Sequence, residues 1–147
     1  MAFYRKQVRL ETKKQFEILD ISKEIQDIIR ASKMKEGLVN IFTHHTTASI
    51  RLNHFEPLLL QDLMKAMYRI APIDSNYAHD FFEIRTIATS AERSNGHAHV
   101  KAFMLGSSET VPFAEKKLLL GSRQSVFFVE LDGARKREVI VSVFGQE

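Results

Sequence analysis

Apolar and polar residues alternate from Phe3 to Glu11, where Tyr4, Val8 and Leu10 stand among charged neighbours. They alternate again from Gln15 to Ile21, with Phe16 and Ile18 set against Gln15 and Glu17. A period of two marks a half-buried strand, so two strands separated by Lys13-Lys14 are expected. The period then lengthens: Ile25, Ile28 and Ile29 recur at helical spacing after Ser22, which is placed to cap the helix, and Gly37 closes the region. Buried strands follow at Leu38 to Thr43 and Ala48 to Leu52, joined by His44-His45-Thr46-Thr47. Leu58, Leu59, Asp62, Leu63, Ala66, Met67 and Ile70 fit a second helix, entered at Pro57 and ended before Pro72.

Ile73 to Arg93 loses periodicity and contains Asp74-Ser75-Asn76, which reads as a loop. Between Asn95 and Leu105 the residues alternate as in a strand, but the composition favours a helix. Ala98, Ala102 and Leu105 make its apolar stripe, Ser94 or Asn95 can cap it, and Gly106 stops it. The remainder reads as strands over Thr110 to Phe113, Lys117 to Leu120, Ser125 to Leu131 and Glu138 to Phe144, with Asp132-Gly133 turning the last two back on each other. Strands at both ends with helices between them argue an α+β fold with a largely antiparallel sheet.

Composition narrows the picture. The chain has 147 residues and no repeat or low-complexity linker, so a single domain spanning 1–147 is expected. It has no cysteine, which leaves histidine and carboxylate as the ligands for any transition metal. The N-terminus lacks the apolar core of a signal peptide, and no apolar run approaches the ~20 residues that span a bilayer. A soluble cytoplasmic protein without a membrane partner is expected. The 21 basic and 18 acidic residues are spread along the chain; Arg135-Lys136-Arg137 and Lys116-Lys117 are too short to argue for nucleic acid, and a mild positive excess also suits phosphorylated small molecules.

The candidate chemistry lies in six histidines, five of them placed in loops or at element ends: His44, His45, His54, His79 and His97. Three neutral imidazoles converging on one point make a site for a divalent metal with an open coordination position. After a strand, adjacent side chains point to opposite faces, so one of His44 and His45 is expected at any one site. His97 and His99 would lie ~200° apart around a helix, with the same consequence. Together with His79 this makes one histidine from each of three elements.

The stretches His45-Thr46-Thr47-Ala48, Asn53, Asp62, Tyr77-Ala78-His79, Asn95-Gly96-His97-Ala98-His99, Gly106-Ser107-Ser108 with Pro112, Leu118 to Gln124, and Glu130 to Arg137 follow one another in an order and spacing that resemble the YjbQ-like family. The resemblance runs from about Gly37 to the C-terminus. It implies a sandwich-like α+β domain assembling as a homotrimer, with a histidine pocket resembling a metal site and the activity of a secondary thiamine-phosphate synthase. The ligands carried over are His45, His79 and His99, for a divalent metal such as zinc or magnesium. The chain departs from the family pattern at His54, at Ala134, and at Gly121-Ser122-Arg123-Gln124, where an indole gives way to a cation.

The implied reaction joins a hydroxymethylpyrimidine diphosphate to a thiazole phosphate and expels pyrophosphate, so cations around the leaving group and a shaped aromatic pocket are what it needs. Arg135 and Arg137, alternate residues on one strand, are the expected phosphate contacts. Thr46, Thr47, Ser107, Ser108 and Gln124 are expected around the substrate, although turn capping explains the hydroxyls equally well. Asp62 and Glu130 are the expected functional carboxylates, Asp62 because its helical neighbours Leu58 and Ala66 place it toward the core. Two rivals stand beside this reading: a metal-dependent phosphoester hydrolase and a non-catalytic module binding a small ligand or nucleic acid.

Overall fold

The strand at the centre of the molecule explains the layering. In the computed structural model, which describes residues 1–81 and 94–147, β7 (Ser125–Glu130) is buried at every position from Val126 to Glu130. An unbroken apolar run of this kind needs cover on both sheet faces. β7 has it, lying in the middle of a three-stranded antiparallel sheet between β2 (Glu17–Asp20) and β4 (Ala48–Asn53). Val126 and Phe128 face one core; Phe127 and Val129 face a second.

β8 (Lys136–Gln146) has a different pattern, with Arg137, Val139, Val141 and Val143 buried and Lys136, Ile140 and Phe144 not. It fits a sheet covered on one face. It lies in a five-stranded antiparallel sheet of order β1-β8-β3-β5-β6, built with β1 (Ala2–Glu11), β3 (Glu36–Phe42), β5 (Ser108–Ala114) and β6 (Lys117–Leu118). Its inner valines meet Ile50, Val126 and Phe128 of the smaller sheet in the first core. Gly37 and Gly145 pair where β3 and β8 cross, and a Cβ on Gly37 would fall 1.9 Å from the Phe144 carbonyl oxygen, so only glycine permits this register.

Asp132-Gly133 therefore does not close a hairpin. It carries the chain from the small sheet, where β7 pairs with β2 and β4, to the large one, where β8 pairs with β1 and β3. The richness of Val126 to Leu131 is satisfied within the chain by its two cores.

Helix α1 (Ser22–Ala31) sends Ile25 and Ile29 into the first core. Ser22 is its first helical residue rather than its cap: its hydroxyl donates to Asp20 Oδ1 and accepts the Val126 N–H, which keeps that strand group paired. Helix α2 (Pro57–Ile70) starts at the expected proline, capped by the Glu56 carboxylate, which accepts from the N–H groups of Leu58 and Leu59. Helix α3 (Gly96–Leu105) lies with α2 over the outer side of the small sheet, where Ala98 and Ala102 join Phe127, Val129 and Leu131, with Leu60, Leu63 and Leu105 at the margin. Of the loop expected over Ile73 to Arg93, residues 82–93 lie outside the described residues. Among the described residues no helix is long and apolar enough to cross a membrane.

Candidate functional site

β3 leaves the large sheet at Phe42 and β4 enters the small one at Ala48, so the five residues between them bridge the sheets. Both ends of this bridge are tied. Thr43 N–H donates to the Ser107 carbonyl at 2.9 Å, fastening it to the exit of α3, and Leu131 N–H donates to the Thr47 carbonyl at 3.1 Å. Arg137 then fixes Thr47 from below, its Nη2 donating to Thr47 Oγ1 at 2.8 Å.

Arg137 and Glu130 form a buried ion pair, 4% and 0% exposed at their side chains. Glu130 also accepts from Thr12 Oγ1 at 2.7 Å and from the Asp132 N–H at 3.1 Å, so both carboxylate oxygens are committed. These two residues brace the loop from beneath; the expected phosphate contact and functional acid are instead a structural pair. Arg135 turns its Nε to the Asp132 carbonyl and its Nη2 to Asp132 Oδ2. The expected alternation of Arg135 and Arg137 on one strand does not hold, since β8 begins at Lys136 and leaves Arg135 in the preceding turn, while the Arg137 side chain is buried against Glu130.

Pleating ends at Phe42, and this changes the fate of His44 and His45. Because they lie in a loop and not on a strand, their rings meet edge to face at 4.5 Å and both line the same pocket. His45 Nε2 accepts the Glu138 N–H at 2.9 Å, which places the ring proton of its neutral form on Nδ1. Burial, then the neighbouring Arg137 and His44, hold the His45 pKa below its ordinary value of 6.5, so the ring is neutral at physiological pH.

On α3 the helical turn separates the other pair as expected. His99 faces the pocket, whereas His97 is buried toward α2, where its Nδ1 lies 2.7 Å from Lys101 Nζ. Lys101 is itself only 1% exposed and lies over the Tyr68 ring at 4.1 Å. His79 reaches the region from a 3-10 turn, Ala78–Asp80. Asp80 Oδ1 accepts the Gly96 N–H at 2.9 Å and docks this turn on the start of α3. A Cβ on Gly96 would come within 2.6 Å of Tyr77 Cβ, so the approach depends on glycine there. The result is a ring contact of 4.6 Å between His79 and His99.

The pocket has a volume of about 500 Å³. The bridge supplies one wall, with Phe42, His44, His45 and Thr46; α3 and its exit supply the other, with His99, Ala102, Phe103 and Ser107. Phe103 is 89% exposed at its rim. A second cleft of about 490 Å³ lies on the far side of His45, between Arg9, Glu11, Lys136 and Glu138. The pocket thus offers imidazoles, that of His45 neutral, and hydroxyls beside aromatic side chains, a setting for hydrogen-bonding an anionic group beside a planar ring.

Of the expected site residues, Thr46, Ser107, His45 and His99 line this pocket and His79 backs it. Thr47 lies beneath it, held by Arg137. Asp62 does not join them: it is exposed on α2, because the half-buried stripe of Leu59, Leu63 and Met67 turns it to the opposite side. Ser108 is exposed on β5, and Gln124 accepts the Gly121 N–H at 2.9 Å in a surface turn. His79, His99 and His45 as placed do not form a three-ligand centre, and among the described residues no three metal-binding side chains are so grouped. His45 would have to release the Glu138 N–H to join one.

Asn95 and Asp132 carry roles that the sequence reading did not assign. Asn95 links His79 Nε2, at 3.2 Å, to Asp132 Oδ2, at 2.9 Å. Lys101 was also missed, although its spacing of four from His97 is the signal of a helical side-chain pair.

Residues 6–146 match the family profile described as UPF0047 protein YjbQ-like. A UPF0047 protein of Methanothermobacter thermautotrophicus is 33% identical over 146 residues, covering 99% of this chain and 95% of the relative. One from Archaeoglobus fulgidus is 37% identical over 135 residues, covering 92% and 97%. The crystal structure of a YbjQ-like protein of unknown function from Sulfolobus solfataricus superposes with a TM-score of 0.89 at 31% identity, covering 99% of each chain.

Proposed function

Because this chain belongs to the UPF0047 YjbQ-like family, we propose that its histidine pocket binds phosphorylated small molecules and that the chain acts as a secondary thiamine-phosphate synthase. One observation carries the reading: His45 and His99, from two separate elements, face a single open pocket walled by Phe42 and Phe103. The reaction breaks the C–O bond between the pyrimidine methylene and its diphosphate, which leaves with the electron pair as pyrophosphate. The thiazole nitrogen forms the new C–N bond. Imidazole N–H groups stabilise charge developing on the leaving oxygens, and the aromatic walls hold the pyrimidine for in-line attack.

The test is pyrophosphate release and thiamine phosphate formation from the two phosphorylated substrates. His45→Ala and His99→Ala are expected to lower kcat/KM by roughly 10²–10³-fold, the loss that accompanies removal of one transition-state donor. Unchanged turnover in both variants would remove the pocket from the reaction. Release of inorganic phosphate from generic phosphoesters, with no coupled product, would replace the synthase by a hydrolase.

The family resemblance also brings a divalent metal, zinc or magnesium, into the proposal. His79 and His99 are the pair that would begin its ligand set, and no step is assigned to it. Elemental analysis of the purified protein tests this part separately: His79→Ala and His99→Ala lower metal content, whereas His45→Ala, whose Nε2 already holds a backbone N–H, lowers it least.

A further inference from the structure

Helix α2 stands over the small sheet without sinking into it. Its stripe of Leu59, Leu60, Leu63, Met64, Met67 and Tyr68 follows the helical period, yet each of these residues is only half-buried. Between α2, the end of α3 and β7 lies a cavity of about 200 Å³, with Leu63, Met67, Leu105 and Phe127 in its apolar wall. It shares no lining residue with the histidine pocket. The side formed by β4 breaks the apolar pattern. Arg51 lies opposite Phe127 and Asn53 opposite Ser125, so both stand on the sheet face that the helices cover, where apolar residues are the rule. They are also the exposed members of the lining, and the cavity opens on their side.

What these two side chains still offer is one-sided. Asn53 Oδ1 accepts the His54 N–H at 2.8 Å, which leaves the amide Nδ2 as a donor. Arg51 spends Nη1 on Glu109 Oε1 at 2.9 Å and keeps the N–H groups of Nε and Nη2. The polar side therefore asks for an acceptor. Its charge is already matched, because Glu109 balances Arg51, and an anionic head would set a second negative charge beside that carboxylate. Size limits the rest of the ligand. A cavity of ~150 Å³ lined by leucine, isoleucine and phenylalanine takes up benzene, whereas drug-sized molecules need roughly 300 Å³ or more. We propose that this cavity binds a small neutral molecule of one aromatic ring bearing one hydrogen-bond acceptor, such as an aryl ketone. Its ring lies against Phe127 and Met67, and its acceptor meets the donors of Arg51 and Asn53. The site is independent of the reading of the histidine pocket.

Full-length protein labelled with ¹³C at its methionine methyls tests this with three probes of similar size: acetophenone, toluene, which lacks the acceptor, and benzoate, which carries a charge. The Met67 signal is identified by its loss in Met67→Leu, and Met34, buried in the first core, reports folding. Acetophenone is expected to shift the Met67 methyl in a saturable way, with magnetisation transfer from its ring to that methyl, and to leave Met34 in place. It should bind roughly 5-fold more tightly than toluene, the worth of one neutral hydrogen bond, and more tightly than benzoate. The double variant Arg51→Met with Glu109→Gln should bring acetophenone to the affinity of toluene. Leu63→Trp, which fills the cavity, should abolish the Met67 shift while the Met34 signal is retained. A wild-type Met67 methyl that shows neither shift nor transfer from acetophenone would overturn the proposal without any variant. So would a shift that persists in folded Leu63→Trp, equal binding of toluene and acetophenone, or benzoate binding as tightly as acetophenone.

Discussion

Glu130 and Arg137 show how residue chemistry can be mistaken for function. A charge taken out of water is tolerated only with a close partner and with its remaining polar atoms satisfied, and both conditions hold here. Arg137→Ala would strand the Glu130 carboxylate in the interior. A loss of about 3–5 kcal/mol is expected, measured by urea unfolding, and the double variant Arg137→Met with Glu130→Leu should recover most of it. Recovery with the loop of His45 disturbed would show that the pair holds geometry more than stability. Lys101 supplies a second prediction at this scale. Burial lowers its pKa from 10.5 to about 8, so between those values the unfolded chain binds more protons than the folded one. Stability contributed by this group is therefore lowest below about pH 8 and rises as pH climbs toward 10.5. Lys101→Met should abolish that slope, narrowing its difference from the wild type by up to about 3 kcal/mol across the window. Parallel stability curves for the two proteins would contradict this.

Among the elements, α2 depends most on its start. Its apolar stripe is only half buried, and a cavity of about 200 Å³ lies beneath it between Phe16, Leu63, Met67 and Phe127. Tertiary packing therefore holds this helix less firmly than α1, whose Ile25 and Ile29 are fully buried. The cap matters correspondingly. The N–H groups of Leu59 and Leu58 bind the Glu56 carboxylate and hold its pKa below the usual 4.5, so its contribution is present above that value and is lost as pH falls through the folded-state pKa. Glu56→Ala should lower the melting temperature at neutral pH and have progressively less effect at acidic pH, as the wild-type carboxylate takes up its proton below 4.5. Equal effects at neutral and acidic pH would assign the residue to packing instead of capping.

At the scale of the whole molecule, one face of the five-stranded sheet packs on the first core and the other carries the cross-strand row Phe3, Phe144, Leu38 and Pro112. Phe3, Leu38 and Phe144 are 51%, 49% and 40% exposed, so this row remains uncovered within a single chain. The homotrimer that the family resemblance implies predicts a light-scattering mass three times the 16.9 kDa of one chain, stable on dilution to micromolar concentration. A mass of one chain under those conditions would reject the trimer.

The sequence by itself determined the elements, because hydrophobic period and composition are local properties: the helix beginning at Pro57 and the alternation of β1 and β8 follow from spacing, and the helix after Asn95 from composition where spacing also fitted a strand. It also showed the ordered histidine motifs that carry the family resemblance, and the turn of α3 that parts His97 from His99. Partnership was decided only by the tertiary structure. Nothing near Asp132-Gly133 says that β7 and β8 enter different sheets, since that depends on which faces other segments cover. Nor does any spacing reveal that Arg137 turns inward to Glu130, that Asp62 turns outward, or that Asn95 joins His79 to Asp132. A side chain's chemistry is written at its own position, but whether its charge meets water, a ligand or an opposing charge is settled by residues distant in the chain.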